Sequence, residues 1–573
     1  MKKFTLFFVM LVIIGLQVGF SPNSEEEKKE IADTIFINGK VYTVEKQQPW
    51  AEAVAISNGK IIYVGTNACV QAYKGNKTKV IDLKGKMMLP GFVDSHLHAS
   101  VTANLLFSVQ LQGAQTLEEY VQKVATYDEQ HPNATFIQGN GWSNILFPST
   151  GPGKESLDAV VQDIPVALLS EDFHSLWVNS KALEIAGITK DTPNPDGGVI
   201  ERNAEGEPSG TLRETAQNLV LSKLPSFSVN EYKEALHAFQ DTANKNGYTQ
   251  VKHIVVENQE NVLQALTELE NEQALTIRHN LSLTIQPSEG ESRIPYLKAQ
   301  RNHFQGPLVK MNGAKLFMDG VIEGETAYLH EPYLNRPDYR GVPIWEKQAY
   351  VNIIQALDKE KFQIHVHSIG DAATTETLDA LEQARNINGK RDSRHEMTHL
   401  QLVKENDIPR FKTLGVVGVP QPSWFVKDSY YDQAVKLLGE ERANKQYPMK
   451  SFFNKGVIMA SSSDYPVTTG LYFSPLTAMQ IGITRSHIGA IRPDDVLNPS
   501  ERVSLSDMIK SYTVNGAYAN FTDHETGSIK VGKKADLVVL DKNLFEIPVQ
   551  NIYKTKILLT LLEGNEIYRH ESF

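Results

Sequence analysis

The sequence predicts an α/β fold: a TIM-like (β/α)8 barrel with an inserted subdomain, plus a small β-sandwich built from both chain ends. Three observations predict it. Eight strand-like apolar runs recur between residues 87 and 460, most of them separated by helix-like segments; such alternation implies a parallel sheet, and eight strands can close into a barrel. Short β patterns with tight turns crowd both ends of the chain. Several of the middle runs end in histidine, lysine or aspartate, and the reactive side chains of a β/α barrel stand where its strands end.

The elements follow in order. Lys2 and Lys3 precede an uncharged apolar stretch, Phe4 to Phe20, then Ser21-Pro22-Asn23-Ser24 and the short run Glu25–Glu30. A basic start, an apolar stretch and a polar exit are the plan of a secretory signal. Residues 1–24 are therefore read as a signal peptide or, since no clean small-x-small cleavage site is visible, as an N-terminal anchor tethering the chain to a membrane through residues 4–20. Either reading places the protein outside the cytoplasm: secreted, periplasmic or membrane-anchored. Cys69 is the sole cysteine, so no internal disulfide can form and thiolate metal clusters are excluded.

Residues 31–86 pair apolar runs around Asn38-Gly39 and Asn58-Gly59, a strong hairpin signal because type I′ turns need positive φ. Residues 525–573 carry the strand-like Ala535–Leu540 and a second pair of runs around Gly564-Asn565. Together these ends are expected to form one composite sandwich. Residues 87–524 supply the barrel, with runs at Met87–Val93, Gln250–Val256, Thr276–Ile285, Met311–Met318, Phe362–Val366, Met397–Leu402, Gly415–Val419 and Val457–Ala460. The first gap is too long for one helix, so residues of about 104–245 form an insertion holding Trp142, His174 and Trp177.

Composition bounds the function. The 573 residues are 41% hydrophobic and 22% charged, which is ordinary globular usage. A net charge of −11 argues against nucleic-acid binding, which leaves a basic footprint, and a small-molecule substrate is the expected partner. Oligomeric state is not legible.

The chemistry sits at the run ends. His96 and His98 in Asp94-Ser95-His96-Leu97-His98 share one face of a strand at a rise of ~3.3 Å per residue, so both imidazoles can reach one metal ion. Lys315 lies in Ala314-Lys315-Leu316-Phe317-Met318, His365-Val366-His367 ends the fifth run, His399 lies in the sixth, and Ser461-Ser462-Ser463-Asp464 ends the eighth.

These residues lie in motifs reading LPGFVDSHLH at 89–98, KLFMDGVIEGETA at 315–327, HSIGDAA at 367–373, RHEMTHLQLV at 394–403, SSDYPV at 462–467 and GSIKVGKKADLVVLD at 527–541. On them the chain resembles the metal-dependent amidohydrolase superfamily, in particular amidohydrolase family 3 and its N-substituted formamide deformylase-like branch, from about Asp33 to Tyr568. The resemblance implies a metal centre at the barrel mouth with His96, His98, Lys315, His367, His399 and Asp464 as ligands. The metal would be divalent, Zn2+ for preference, one ion or two, with a CO2-derived carbamate on Lys315 bridging if there are two. The implied reaction is hydrolysis of a C–N bond in an amide, N-substituted formamide or cyclic amide, with Asp464 as general acid and base. Where some relatives in the wider superfamily place an acidic residue before the sixth-strand histidine, this chain has Thr398.

Two other readings compete. His395-Glu396-Met397-Thr398-His399 matches the zinc-protease pattern HExxH, which requires a helix, whereas the surrounding sequence reads as a strand. A non-catalytic extracytoplasmic binding or regulatory protein on a hydrolase scaffold is the second. For substrate contact, Trp142, His174 and Trp424 are the candidates, with Phe425, Tyr430 and Tyr431 in segments expected to overhang the mouth; Asn179 shares a recurrent stretch of the relatives with His174.

Overall fold

The computed structural model describes residues 30–256, 259–490 and 495–573. The expected signal or anchor falls outside the described residues, among which no helix is long and apolar enough to cross a membrane.

Seven parallel strands form the barrel sheet, in spatial order Phe92–Leu97, Tyr248–Val255, Arg278–Thr284, Val309–Phe317, Gln363–Ser368, Glu396–His399 and Val417–Val419. The second strand is buried along its whole length, as a parallel sheet covered by helices requires. The eighth expected run is not a ladder strand. It makes one isolated parallel bridge, Gly418 to Met459, in which Gly418 N donates to Ile458 O at 3.0 Å and Ala460 N to Gly418 O at 2.9 Å. A side chain at Gly418 would meet Met459 Sδ at 2.6 Å, so the close approach depends on glycine. The segment then binds the first strand: Ser95 N donates to Ser461 O, and Asp464 N to His96 O at 2.9 Å. The ring closes through a bent segment because Ser461 N turns aside to Ser511 O.

The first apolar run divides between two sheets. Met87–Pro90 pairs antiparallel with Leu537–Leu540 and parallel with Lys40–Tyr42, and only Phe92–Leu97 enters the barrel. Pro90 cannot donate to a ladder, and a Cβ on Gly91 would meet Thr249 Oγ1 at 2.4 Å, so the change of sheet falls at this pair. The resulting six-stranded sheet mixes strands from both chain ends. It faces a four-stranded sheet of Lys60–Gly65, Ala53–Ser57, Thr34–Ile37 and Lys79–Asp82, across a core that includes Phe36, Val54, Met88, Val539 and Leu559.

One of the two Asn-Gly signals is corrected. Asn58 and Gly59 both have positive φ (49° and 74°) and join antiparallel strands as expected. Asn38-Gly39 instead links strands that lie in different sheets, and only Asn38 is left-handed: it is a corner between layers, not a hairpin. Between the first two barrel strands the insertion folds as a six-stranded mixed sheet.

Barrel and sandwich are joined by a buried ion network. Arg278, at the start of the third barrel strand, pairs with Asp536 and Glu563 of the sandwich and is 4% exposed. Removing one partner of a buried pair leaves an uncompensated charge. Arg278→Met is expected to destabilise the protein by about 3–5 kcal/mol, measured as a lower midpoint in urea unfolding.

Candidate metal centre

Three ligand-type side chains, His96, His399 and Asp464, present atoms within 4.8 Å of one another, and all three are buried. Asp464 Oδ1 lies 3.1 Å from His96 Nε2 and 3.3 Å from His98 Nε2, yet forms no hydrogen bond. Nitrogen and oxygen lone pairs facing one another unbonded at this range are what a shared cation would satisfy. Each imidazole is oriented through its other nitrogen, as metal-binding histidines usually are. His98 Nδ1 sits 3.2 Å from Ile254 O, His399 Nδ1 3.0 Å from Gln421 Oε1, and His367 Nε2 3.2 Å from Gly320 O. His367 packs on His399 with ring centroids 4.4 Å apart, one residue layer above Lys315.

The backbone aims two of these residues. Strand alternation directs Glu396 inward and His395 outward, and a regular strand would carry His399 outward as well. Left-handed backbone at His399 (φ 72°) and Leu400 (φ 52°) turns the imidazole into the mouth instead. Asp464 is likewise left-handed, at φ 58°. Non-glycine residues held this way carry a conformational cost that the surrounding structure must offset.

Burial sets the protonation. His96 and His367 are held well below the ordinary histidine range by desolvation, and His399 is pushed down to about 3 for the same reason, so all are neutral, the form that ligates a metal. Asp464 is held well below the usual carboxylate range: burial alone would raise it, and the His96, His98 and His399 imidazoles more than reverse that. Lys315 is fully buried, its Nζ has no hydrogen-bond partner, and desolvation brings it down to about 7.

A model of the amidohydrolase family matches residues 79–568. The chain belongs to that family. It is 31% identical over 549 residues to Protein LONG AFTER FAR-RED 3 of Arabidopsis thaliana, covering 94% of this chain and 92% of that one. It is 26% identical to N-substituted formamide deformylase of Arthrobacter pascens, covering 95% and 99%. An uncharacterized metal-dependent hydrolase from Pyrococcus furiosus superposes with a TM-score of 0.67 at 27% identity, covering 89% and 99%. The protein is thus a hydrolase of the amidohydrolase type, acting on C–N bonds.

Beneath the ligands the amidohydrolase carries a second polar layer. Thr284, Lys315, His365 and Glu396 stand in register across four adjacent strands. His96 Nδ1 is 2.6 Å from His365 Nε2, His365 Nδ1 is 2.6 Å from Glu396 Oε2, and Lys252 Nζ is 3.2 Å from the same oxygen. Burial raises Glu396 to about 7, against the pull of Lys252. His365, two residues before His367 in the same strand, lies under the centre and buttresses His96. In the sequence Glu396 reads as the glutamate of HExxH, which hides its place beneath the centre. Glu396–His399 is a strand, and His395 turns outward, 3.3 Å from Asp358 Oδ1 and accepting from Ile364 N, so the protease geometry is absent.

The insertion contributes His174, whose Nδ1 lies 2.8 Å from Glu214 Oε2 and whose ring is 4.9 Å from that of His367. Glu214 has φ 50° and accepts from Thr326 Oγ1; no motif pointed to it. Burial would lower His174, but Glu214 and Asp172 raise it to about 9. Both line a cavity of about 180 Å³ over His96, His98, His367, His399 and Asp464. Trp424 lines an adjoining lobe and stacks flat on His399, with centroids 5.5 Å apart; Tyr430 and Tyr431 line that lobe too. Trp142 does not reach either space. It is fully buried in the insertion core against Trp177 and donates to Leu168 O, because its strand turns that face toward the subdomain's own helices. Phe425 packs on Tyr447 in the core. Asn179 caps the helix Ser180–Ala186 through Ala182 N, a structural role.

Gln421 orients His399, and its own amide is held by Ser462 Oγ and Thr398 Oγ1. Gln421→Ala is expected to weaken metal affinity roughly 10–100-fold, read by chelator competition with circular dichroism as the check on folding.

Proposed function

We propose that this amidohydrolase hydrolyses an amide, N-substituted formamide or cyclic amide, with Asp464 as the general acid and base. The observation that carries the reading is the convergence of imidazoles on a carboxylate oxygen that lacks a hydrogen bond. The donor set fits a zinc-type cation: nitrogen and carboxylate ligands, oriented from behind, beside a buried amine with no partner. His96, His98, His367, His399, Asp464 and Lys315 would hold one or two ions. A bound divalent cation supplies a Lewis acid and lowers the pKa of a water toward ~7.

Asp464 is ionised and aimed at the cavity, so it can take the proton as the water oxygen attacks the carbonyl carbon, then return it to the departing nitrogen. Its left-handed backbone and its amide bond to His96 O hold the carboxylate in place for both transfers. His365 and Glu396 keep His96 in one tautomer. Lys315 is the carbamate candidate: a neutral Nζ adds to CO2 and releases one proton, leaving an anionic oxygen ligand where an unpaired ammonium would be costly. The insertion and Trp424 wall the reaction off from bulk water. The similarity to a formamide deformylase supports a small N-acyl substrate, and the apolar stretch at residues 4–20 supports an exported or anchored enzyme.

Asp464→Asn should lower kcat on N-acyl and N-formyl amines by at least ~100-fold while metal content by elemental analysis stays near wild type; near-normal turnover would remove Asp464 from the mechanism. Reactivation of apo-protein by metal should require bicarbonate. With Lys315 near 7, the neutral amine grows from about a tenth at pH 6 to about nine-tenths at pH 8, so bicarbonate-dependent reactivation should be faster at pH 8. Equal recovery without bicarbonate at both pH values would exclude the carbamate.

A further inference from the structure

We propose that the lobe of the cavity beyond Trp424 binds a cationic ammonium group carried by the substrate. The inference deepens the hydrolase reading and rests on it for the word substrate; binding of the cation itself does not depend on it.

The lobe is about 380 Å³ and opens onto His367, His399 and Asp464. Four carboxylates that are not ligand candidates line it: Glu171, Asp172, Glu323 and Asp428. No lysine or arginine is among the described residues that line it, and none of the four makes an ion pair among the described residues. Besides the ligand candidates His367 and His399, two imidazoles line this wall: His174, paired with Glu214, and His487. Glu171 accepts from the Ser143 and Tyr430 hydroxyls, Asp172 from Ser170 and Asn144, and Asp428 from Tyr431 N at the start of its helix. Those bonds fix positions; two imidazoles, His174 facing Asp172 and Glu323 and His487 facing Asp428, stand against the four carboxylates, and the wall is acidic overall. Glu171, Glu323 and Asp428 are all raised above the ordinary carboxylate range, by burial first; neighbouring carboxylates add to it at Glu171 and Glu323. Like charges crowded out of water call for a counter-charge.

Two independent features indicate its shape. Ser423 lines the lobe, 4% exposed, and its Oγ, able to donate or accept, has no hydrogen-bond partner. Trp424, Tyr430 and Tyr472 give the lobe aromatic faces and edges, and a cation over aromatic faces is stabilised by about 0.5–2 kcal/mol. Carboxylates, an idle hydroxyl and aromatic rings around a small volume suit an ammonium on a short arm, with the scissile bond held over Asp464.

The test pairs a charged formamide, N-[4-(aminomethyl)benzyl]formamide, with its neutral isostere N-(4-ethylbenzyl)formamide on the zinc-loaded full chain. In parallel, calorimetry compares benzyltrimethylammonium, which has no lone pair to offer a metal, with benzyl alcohol. The expected results are kcat/KM at least about ten-fold higher for the charged formamide and at least about ten-fold tighter binding of the quaternary ion, both shrinking as salt rises. Glu323→Gln, at a side chain without an ion pair, should cut both preferences by about five-fold or more. Benzyl alcohol binding as well as the quaternary ion, or preferences undiminished in Glu323→Gln, would overturn the proposal. Turnover of the neutral formamide at the same rate as the charged one would overturn it too and leave the hydrolase reading intact. Selective cation binding with neither formamide hydrolysed would do the reverse: the lobe would stand, and the reading of these substrates would fall.

Discussion

The bond from Asp464 N to His96 O does two things at once. It ties the bent closing segment to the first strand, and it sets the carboxylate against the two histidines that leave that strand. Barrel closure and site assembly are therefore one event. Without a full eighth ladder, the ring closes through scattered bonds: the Gly418 bridge and Ser462 N to Pro420 O on one side, and Ser95 N to Ser461 O, His98 N to Tyr465 O and this one on the other. The bend that prevents a regular strand is the same bend that presents Asp464 to the mouth, and the positive φ at Asp464 and His399 is the local cost of that presentation.

Around this joint the interior is organised in charge layers. The upper layer holds neutral imidazoles and one ionised carboxylate. The lower layer holds Glu396 between His365 and Lys252, with Lys315 in register. Desolvation acts in opposite directions on the two kinds of group: it strips protons from the imidazoles and from Lys315, and it pushes them onto Glu396. The result is imidazole donors at His96, His367 and His399 that need lose no proton to ligate, above a buttress that holds His96 from below. The inserted sheet completes the mouth from outside the barrel, bringing His174 and Glu214 opposite His367.

Much of this was legible in the residues. Strand–helix alternation predicts the barrel, i, i+2 spacing predicts that His96 and His98 share a face, and an amine in Ala-Leu-Phe-Met predicts a buried Lys315. The misses share a cause. Asn38-Gly39 has hairpin chemistry, yet whether the flanking strands pair or part to different sheets depends on the partners each finds. Trp142 reads as a mouth residue because an aromatic ring serves a core or a pocket equally well, and which side of its sheet is covered is set by tertiary contacts. Glu214 sits in no periodic pattern or motif; its place follows from how the insertion docks.

What the sequence determined by itself is the inventory and the local geometry: which side chains can ligate, which share a strand face, and where turns permit left-handed backbone. The tertiary structure alone decided convergence. Residues from 96 to 464 meet because strands in register bring equivalent layers together across the barrel, and because two left-handed positions override strand alternation at its rim. Both depend on contacts between segments far apart in the chain, and neither periodicity nor motif spacing encodes such distances.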